Sequence, residues 1–207
     1  YLPAANYSLV KQVEGRGVFS FFICPGGIIV PSATETGQVV VNGMSNSRRN
    51  SPYANSGIVV QVDPSDYEYL SEFGPFAGLE LQRRIEDACW RAGSMSQAAP
   101  AQRISDFTRG VTSGTLPECS YFPGIVPAPL HEILPPFVSG RLQEAFMQFD
   151  KMMKGYHTSE AVILGTESRT SSPVRIPRNS ETLEHINLQG LYPCGEGAGY
   201  AGGIVSS

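Results

Sequence analysis

An α+β fold is predicted: a mixed, mostly antiparallel sheet with two long amphipathic helices. Three observations predict it. Residues 17–63 alternate short β-branched and aromatic runs with Gly- and Pro-bearing turns, as a meander of short strands does. Two later stretches carry apolar residues at helical spacing, and a further apolar run over 161–167 returns to strand character. Strand-rich and helix-rich stretches that follow one another, instead of alternating, point to α+β and away from a doubly wound sheet.

The elements follow in order. Val18 to Ile23 is a strand by content and stops at Cys24-Pro25-Gly26-Gly27, where proline removes a donor and two glycines permit a reversal. Ile28-Ile29-Val30 is a second strand, Thr34 to Gly37 a turn, and Gln38 to Asn42 a third strand. Asn42 to Gly57 is a polar loop held between strands, with Ile58 to Val62 following; such loops are where binding groups are mounted. Its adjacent Arg48 and Arg49 could clamp a carboxylate or phosphate, or simply be solvated. After Asp63-Pro64-Ser65-Asp66 the period changes: Leu81, Ile85, Ala88, Cys89 and Ala92 mark one helix face from about Phe76, with Gly93 placed to end it. Trp90 reads as packing.

Residues 94–129 have few periodic apolar residues and read as an irregular insertion with a short helical turn around Ala101–Phe107. His131 and Glu132 read as a polar helix start more than as a catalytic pair. From Pro136 to Lys154, Val138, Leu142, Ala145, Phe146, Phe149, Met152 and Met153 form one apolar stripe; Lys151 and Lys154 suit the C-terminal dipole, and Gly155 can cap. Ala161 to Glu167 is a buried-type strand, Ser168 to Ser172 a polar crossover, and Pro173 to Arg178 an extended segment.

Composition narrows the function classes. At 207 residues the chain can bury one sizeable core, or a domain with a smaller appendage. A net charge of −4 gives no electrostatic case for nucleic acid, and no apolar run reaches the roughly 18 residues a membrane span needs. The four cysteines, Cys24, Cys89, Cys119 and Cys194, are far apart, and with three scattered histidines no zinc pattern arises. They read as the reduced thiols of a cytoplasmic protein.

Residues 190–204 are the most informative stretch. Gly-Leu-Tyr-Pro-Cys-Gly-Glu-Gly-Ala-Gly-Tyr-Ala-Gly-Gly-Ile holds six glycines in fifteen residues. Leu191 and Tyr192 are strand-like, Gly195-Glu196-Gly197 is a tight turn, and Ala198 to Ile204 suit the start of a closely packed helix. Glycine is costly in backbone entropy, so such density asks for a reason. Close approach of backbone N–H groups to a ligand supplies one, since a helix start gathers unpaired donors and positive dipole. Glu196 would repel a phosphate but accept a hydrogen bond from a ribose or ribityl hydroxyl. A Gly-rich loop that is merely tightly packed remains the alternative.

This closing stretch resembles the FAD motif of a family of FAD-dependent dehydrogenases, flavoproteins of the two-dinucleotide-binding type. Three more stretches resemble the same family in the same order: Cys24-Pro25-Gly26-Gly27; Val41-Asn42-Gly43-Met44-Ser45 with Arg49 and Ala54-Asn55-Ser56-Gly57; and Arg169-Thr170-Ser171-Ser172-Pro173-Val174-Arg175. Together they cover nearly the whole chain. Such flavoproteins open with a strand–Gly-x-Gly-x-x-Gly–helix unit for the FAD pyrophosphate, and none is found between Tyr1 and Ser207. The expectation is therefore the later part of a longer flavoprotein: residues 1–178 an inserted, substrate-type α+β domain, residues 179–207 the FAD-contacting edge of an incomplete dinucleotide-binding domain.

The resemblance implies an FAD-dependent oxidoreductase, with NAD(P)H as a candidate electron donor, a small-molecule substrate, and the missing FAD-binding domain of the same chain as partner. It implies that Gly195, Glu196, Gly197, Ala198, Gly199, Ala201, Gly202, Gly203 and Ile204 meet the ribityl and isoalloxazine groups. Cys24, Pro25, Gly26, Gly27, Asn42, Arg49, Asn55 and Arg169 are the substrate-side candidates, with Arg175 beside them; no metal is implied. In such enzymes the flavin carries the chemistry and the protein orients and tunes it. Two other classes stay open: a non-catalytic binding module on a flavoprotein scaffold, and a flavin-dependent RNA-modifying protein, against which the acidic balance counts. The stretch by itself is expected to be inactive and to hold FAD weakly.

Overall fold

A computed structural model of the chain describes residues 9–200, with the side chains of Phe21 and Phe22 left aside. The fold is α+β, as the sequence predicts. Its strands are β1 (Val10–Val13), β2 (Arg16–Pro25), β3 (Ile28–Pro31), β4 (Val41–Met44), β5 (Ala54–Val60), β6 (Ala99–Arg103), β7 (Ile125–Pro127) and β8 (Val162–Leu164). Its helices are α1 (Ala77–Ala92), α2 (Ile104–Phe107), α3 (Leu130–Ile133) and α4 (Pro136–Met152). The strands form three small sheets, ordered β1-β2-β5, β3-β4 and β7-β6-β8; only the β6–β7 pair is parallel.

Contacts divide the described residues into two compact units, one of 9–62 with 84–168, the other of 63–83 with 169–200. The first unit holds two clusters of buried apolar side chains. The larger joins Leu9, Val13 and Val18 to Ile104, Phe107, Leu130 and the α4 residues Leu142, Ala145, Phe146 and Phe149. Phe146 meets Phe107 edge-on at 5.9 Å between ring centroids, and Phe149 meets Tyr156 likewise at 5.6 Å. The apolar stripe of α4 is thus a packing stripe. Ile58 and Val60 of β5 lean on this cluster, which fixes which face of β5 looks inward. The smaller cluster joins Val39, Val41, Cys89, Ala99 and Tyr121, with Trp90 packed beside it.

Several local expectations are corrected. The third strand lies at Val41–Met44, not 38–42; Val39 and Val40 are fully buried without being in a strand. The stretch 94–129 is not merely irregular around its short helix α2. Its Ala-Pro-Ala-Gln-Arg run is β6, the central strand of a sheet, with Ala99 and Ala101 fully buried. Small residues and a proline carry almost no β propensity, so burial on both faces decides this strand. Leu191 and Tyr192 form no strand and are exposed. The segment 173–178 gives a single bridge, Arg178 to His185, and no strand.

A run of 3₁₀ turns, Pro64–Phe76, precedes α1 and was not legible as a helix. It departs from helical geometry at Tyr67, Leu70 and Gly74, so no constant period marks it in the sequence. His131 lies in the first turn of α3, a helix start as expected; it is half-buried and shares a hydrogen bond between its Nδ1 and Gln102, 2.9 Å away. No helix among the described residues is long and apolar enough to cross a membrane.

Candidate functional site

Four of the motif residues come together on one sheet face of the first unit. In the β2–β5 ladder Cys24 stands opposite Asn55 and Pro25 opposite Ala54. Residues directly opposite in an antiparallel pair project to the same side. Side chains two apart along a strand do the same, so position 57 shares the face of Asn55 and Cys24. Ser56, Ile58 and Val60 take the other face; the Ser56 hydroxyl pairs there with that of Ser20 at 2.8 Å. Gly27 closes the near end: a Cβ on it would fall 2.4 Å from Met44 O, 2.7 Å from Asn55 Nδ2 and 2.9 Å from Cys24 Cβ. Glycine is required there by close approach.

Asn55 is buried, and its Nδ2 donates to Ile28 O at 3.2 Å. That carbonyl fixes which way the amide points, because the flipped form would set oxygen against oxygen. The Asn55 Oδ1 is left buried with no hydrogen-bond partner. A buried acceptor in that condition loses a free energy on the order of 1–3 kcal/mol.

The same face receives Glu167. A Cβ on Gly57 would lie 2.5 Å from Glu167 Oε2, so the carboxyl fills the space that any side chain at 57 would need. The backbone on either side of Glu167 is pinned. Gly165 N donates to Pro100 O at 2.9 Å, Val41 N donates to Thr166 O at 2.9 Å, and Ser168 Oγ donates to Glu86 Oε1 at 2.5 Å. Among the described residues the Glu167 carboxyl itself makes no hydrogen bond or ion pair. Burial raises its pKa above the ordinary carboxylate value.

Cys24 is half-buried and a free thiol. Burial pushes its pKa up, Arg49 pulls it down, and Glu167 pushes it up again. The thiol is neutral while the carboxyl titrates, which is why burial alone accounts for the shift at Glu167. Arg49 sits in the loop 45–53 with φ of 46°, held by its N–H donating to the Asn46 side chain at 2.6 Å. Gly26 lies under that loop, where a Cβ would be 2.1 Å from Arg49 O.

The closing turn belongs to the second unit. Its 3₁₀ turn spans Glu196–Ala198, entered through Gly195 at φ 78°, ψ 177° and left through Gly199 at φ 80°, ψ 21°. Only glycine holds both conformations without strain. The turn rests on residues 172–178: Ile176 N donates to Ala198 O at 3.0 Å and Tyr200 OH donates to Ile176 O at 2.9 Å. The Arg178 guanidinium covers the Tyr200 ring at 3.7 Å from its centroid. Gly199 packs so tightly that a Cβ would be 2.5 Å from Val174 O. Gly197 differs. It is exposed, has open space where a Cβ would stand, and has no positive φ, so nothing among the described residues calls for glycine.

The predicted site residues therefore fall into separate groups. Cys24, Gly26, Gly27, Arg49 and Asn55 gather in the first unit. Pro25 is exposed beside them, and Asn42 is exposed on β4, paired with Val30 in the other sheet. Gly195 to Gly199 form the turn of the second unit, to which Arg169 also belongs. Ala201, Gly202, Gly203 and Ile204, and the helix expected over 198–204, lie outside the described residues beyond Tyr200. Glu167 was missed. Read in sequence, it is the last residue of a strand; no spacing signal links it to Gly57, 110 positions earlier.

The turn's chemistry fits the sugar-alcohol arm of FAD. Its exposed Gly197 gives a ligand access to the backbone, and the exposed Glu196 carboxyl makes no hydrogen bond or ion pair among the described residues. A carboxylate accepts from hydroxyl groups and repels phosphate.

Fold and site together define an α+β domain that mounts a thiol, a carboxyl and an unsatisfied amide on one sheet face. Residues 1–170 match the model of the family described as FAD-dependent protein, C-terminal domain-like, and the chain belongs to that family. An uncharacterized protein of Clostridium beijerinckii is 45% identical over 210 residues, an alignment that takes in all of this chain and 39% of the relative. The chain thus spans about two fifths of the length of that relative. The closing turn lies beyond the residues matched to the family.

Proposed function

We propose that this chain is the substrate-side portion of an FAD-dependent oxidoreductase and that its closing turn lies against the ribityl and isoalloxazine groups of FAD. In this reading Glu196 accepts a hydrogen bond from a ribityl hydroxyl, and the main chain at Gly195, Gly197 and Gly199 approaches the cofactor, continued by Ala201, Gly202, Gly203 and Ile204. FAD when bound supplies two-electron transfer. The chain's own residues orient it and close the substrate side, with Cys24, Gly27, Arg49 and Asn55 facing a small molecule. Residues 1–178 then serve as the substrate-type domain and 179–207 as the cofactor edge, with NAD(P)H as the electron donor.

One observation carries the reading: Gly197 is a glycine that neither φ nor packing against the described residues requires, placed beside a carboxyl with no partner among them. A turn that met no ligand would gain from losing it. The test is FAD binding by the full-length protein, wild type against G197A and E196Q. The expected result is a yellow wild-type protein and at least tenfold weaker FAD binding in both variants, with flavin-free melting temperatures no lower than that of wild type. A colourless wild-type protein that takes up no added FAD, or variants with wild-type affinity, would overturn the reading.

A further inference from the structure

The face shared by Cys24, Asn55 and Glu167 carries more than a list of candidates, because it is anchored everywhere except at its functional atoms. The backbone at 165 and 166 and the Ser168 hydroxyl are hydrogen-bonded, and the Asn55 amide is tied down through its nitrogen. The groups left over are one buried acceptor, Asn55 Oδ1, and one half-buried carboxyl with no partner among the described residues. Buried polar groups in folded proteins are satisfied, and exceptions have an explanation. Both leftovers lie on one face, where the glycines at 27 and 57 leave the room that the Asn55 amide and the Glu167 carboxyl take up.

We propose that Glu167 is a proton donor to a small carbonyl- or quinone-type substrate seated on this face, where Asn55 Oδ1 accepts from any O–H or N–H the substrate carries. The proposal rests on the FAD reading above, since the electrons must come from a reductant. The substrate oxygen takes the Glu167 proton while a hydride reaches the other end of the carbonyl system. The C=O π bond opens and an O–H bond forms. FAD in its reduced form would supply the hydride's two electrons and end oxidised, and the Glu167 carboxylate would regain its proton from solvent. Such a donor must hold its proton near neutral pH. Burial at Glu167 acts in that direction, and the titratable neighbour facing it is the Cys24 thiol, itself influenced by Arg49.

Two measurements on the full-length protein test this. The first needs no flavin: the pH profile of Cys24 alkylation by iodoacetamide, read by mass spectrometry on the Cys24 peptide. In E167Q the carboxylate charge is gone, so the thiol ionises more readily, and alkylation at pH 8 rises roughly threefold. An unchanged profile would show that the carboxyl does not face the thiol and would overturn the site.

The second reduces the flavin photochemically and mixes it with menadione, which takes up two electrons and two protons, or with ferricyanide, which takes up no proton. Wild type is expected to favour menadione increasingly as pH falls, and E167Q to lower the menadione-to-ferricyanide rate ratio at least tenfold and flatten its pH profile. No menadione reduction by wild type, or an E167Q ratio equal to wild type, would overturn the proton-donor role. Failure of the FAD reading is seen separately, as a protein without flavin whose Cys24 profile still responds to E167Q.

Discussion

The Glu167 carboxyl occupies the space above Gly57 that the Cβ of any other residue would need, 2.5 Å from Oε2 to that point. The two residues are far apart in sequence and bring together a strand edge and the segment after β8. The contact sets both the identity of residue 57 and the environment of the acid, and it can be probed from either side.

Substituting Gly57→Ala should displace the carboxyl rather than unfold the domain, because the clashing atom is the free end of a flexible side chain. The expected loss is below about 1 kcal/mol by denaturant titration, with the Glu167 pKa moving back toward its ordinary value as the group is pushed to solvent. A loss of several kcal/mol would show that Glu167 cannot move, contrary to the absence of any partner holding it among the described residues.

The raised pKa of Glu167 has a stability consequence whose sign follows from linkage. The folded state binds the proton more tightly than the unfolded one, so stability is fully present below the ordinary value of 4.5 and falls as pH rises through the folded-state pKa. The E167Q variant cannot lose that contribution. It should match wild type near pH 4 and melt higher than wild type at pH 7 to 8. A melting-temperature difference independent of pH would contradict the assignment.

Thiol chemistry should sort by burial. Cys89 is fully buried, with its pKa pushed up to about 12, whereas Cys194 is exposed. A disulfide reagent at pH 8 should label Cys194 first and Cys24 more slowly, and reach Cys89 only on unfolding. Rapid labelling of Cys89 in native protein would mean that the smaller core opens.

The α4 stripe is predicted to hold the first unit together. Phe146→Ala removes a ring that is 2% exposed and packed edge-on against Phe107, and should cost about 3–5 kcal/mol. Met147→Ala, on the exposed side of the same helix, should change stability by less than about 0.5 kcal/mol.

In the closing turn two glycines should behave oppositely. Gly199→Ala forces a left-handed φ of 80° on a side chain and drives its Cβ to 2.5 Å from Val174 O, so the Ile176 amide, which donates to Ala198 O, should lose hydrogen-exchange protection. Gly197→Ala should leave that amide protected. Equal protection in both variants would mean the turn does not rest on residues 172–178.

Much of this arrangement was legible in the chain because it is written in local patterns. The stripes of α1 and α4 repeat at the helical period, and the turn at Cys24–Gly27 is marked by its proline and glycines, although it passes the chain from one sheet to the next and closes no hairpin. Strand β6 was not legible. Its five residues lack β propensity, and only neighbours on both sides make them a strand. The 3₁₀ run before α1 escaped for a related reason, since its geometry breaks three times.

The sequence by itself determined the fold class, the two long helices, several turns, and the motifs that point to a flavoprotein, because periodicity and turn chemistry act over a few residues. Only the tertiary structure decided that Glu167 faces Gly57, that Cys24 stands opposite Asn55, and that Asn55 Oδ1 is left without a partner. Those facts depend on strand register and on backbone anchored through distant carbonyls, and long-range contacts of that kind leave no signature in the spacing of residues along the chain.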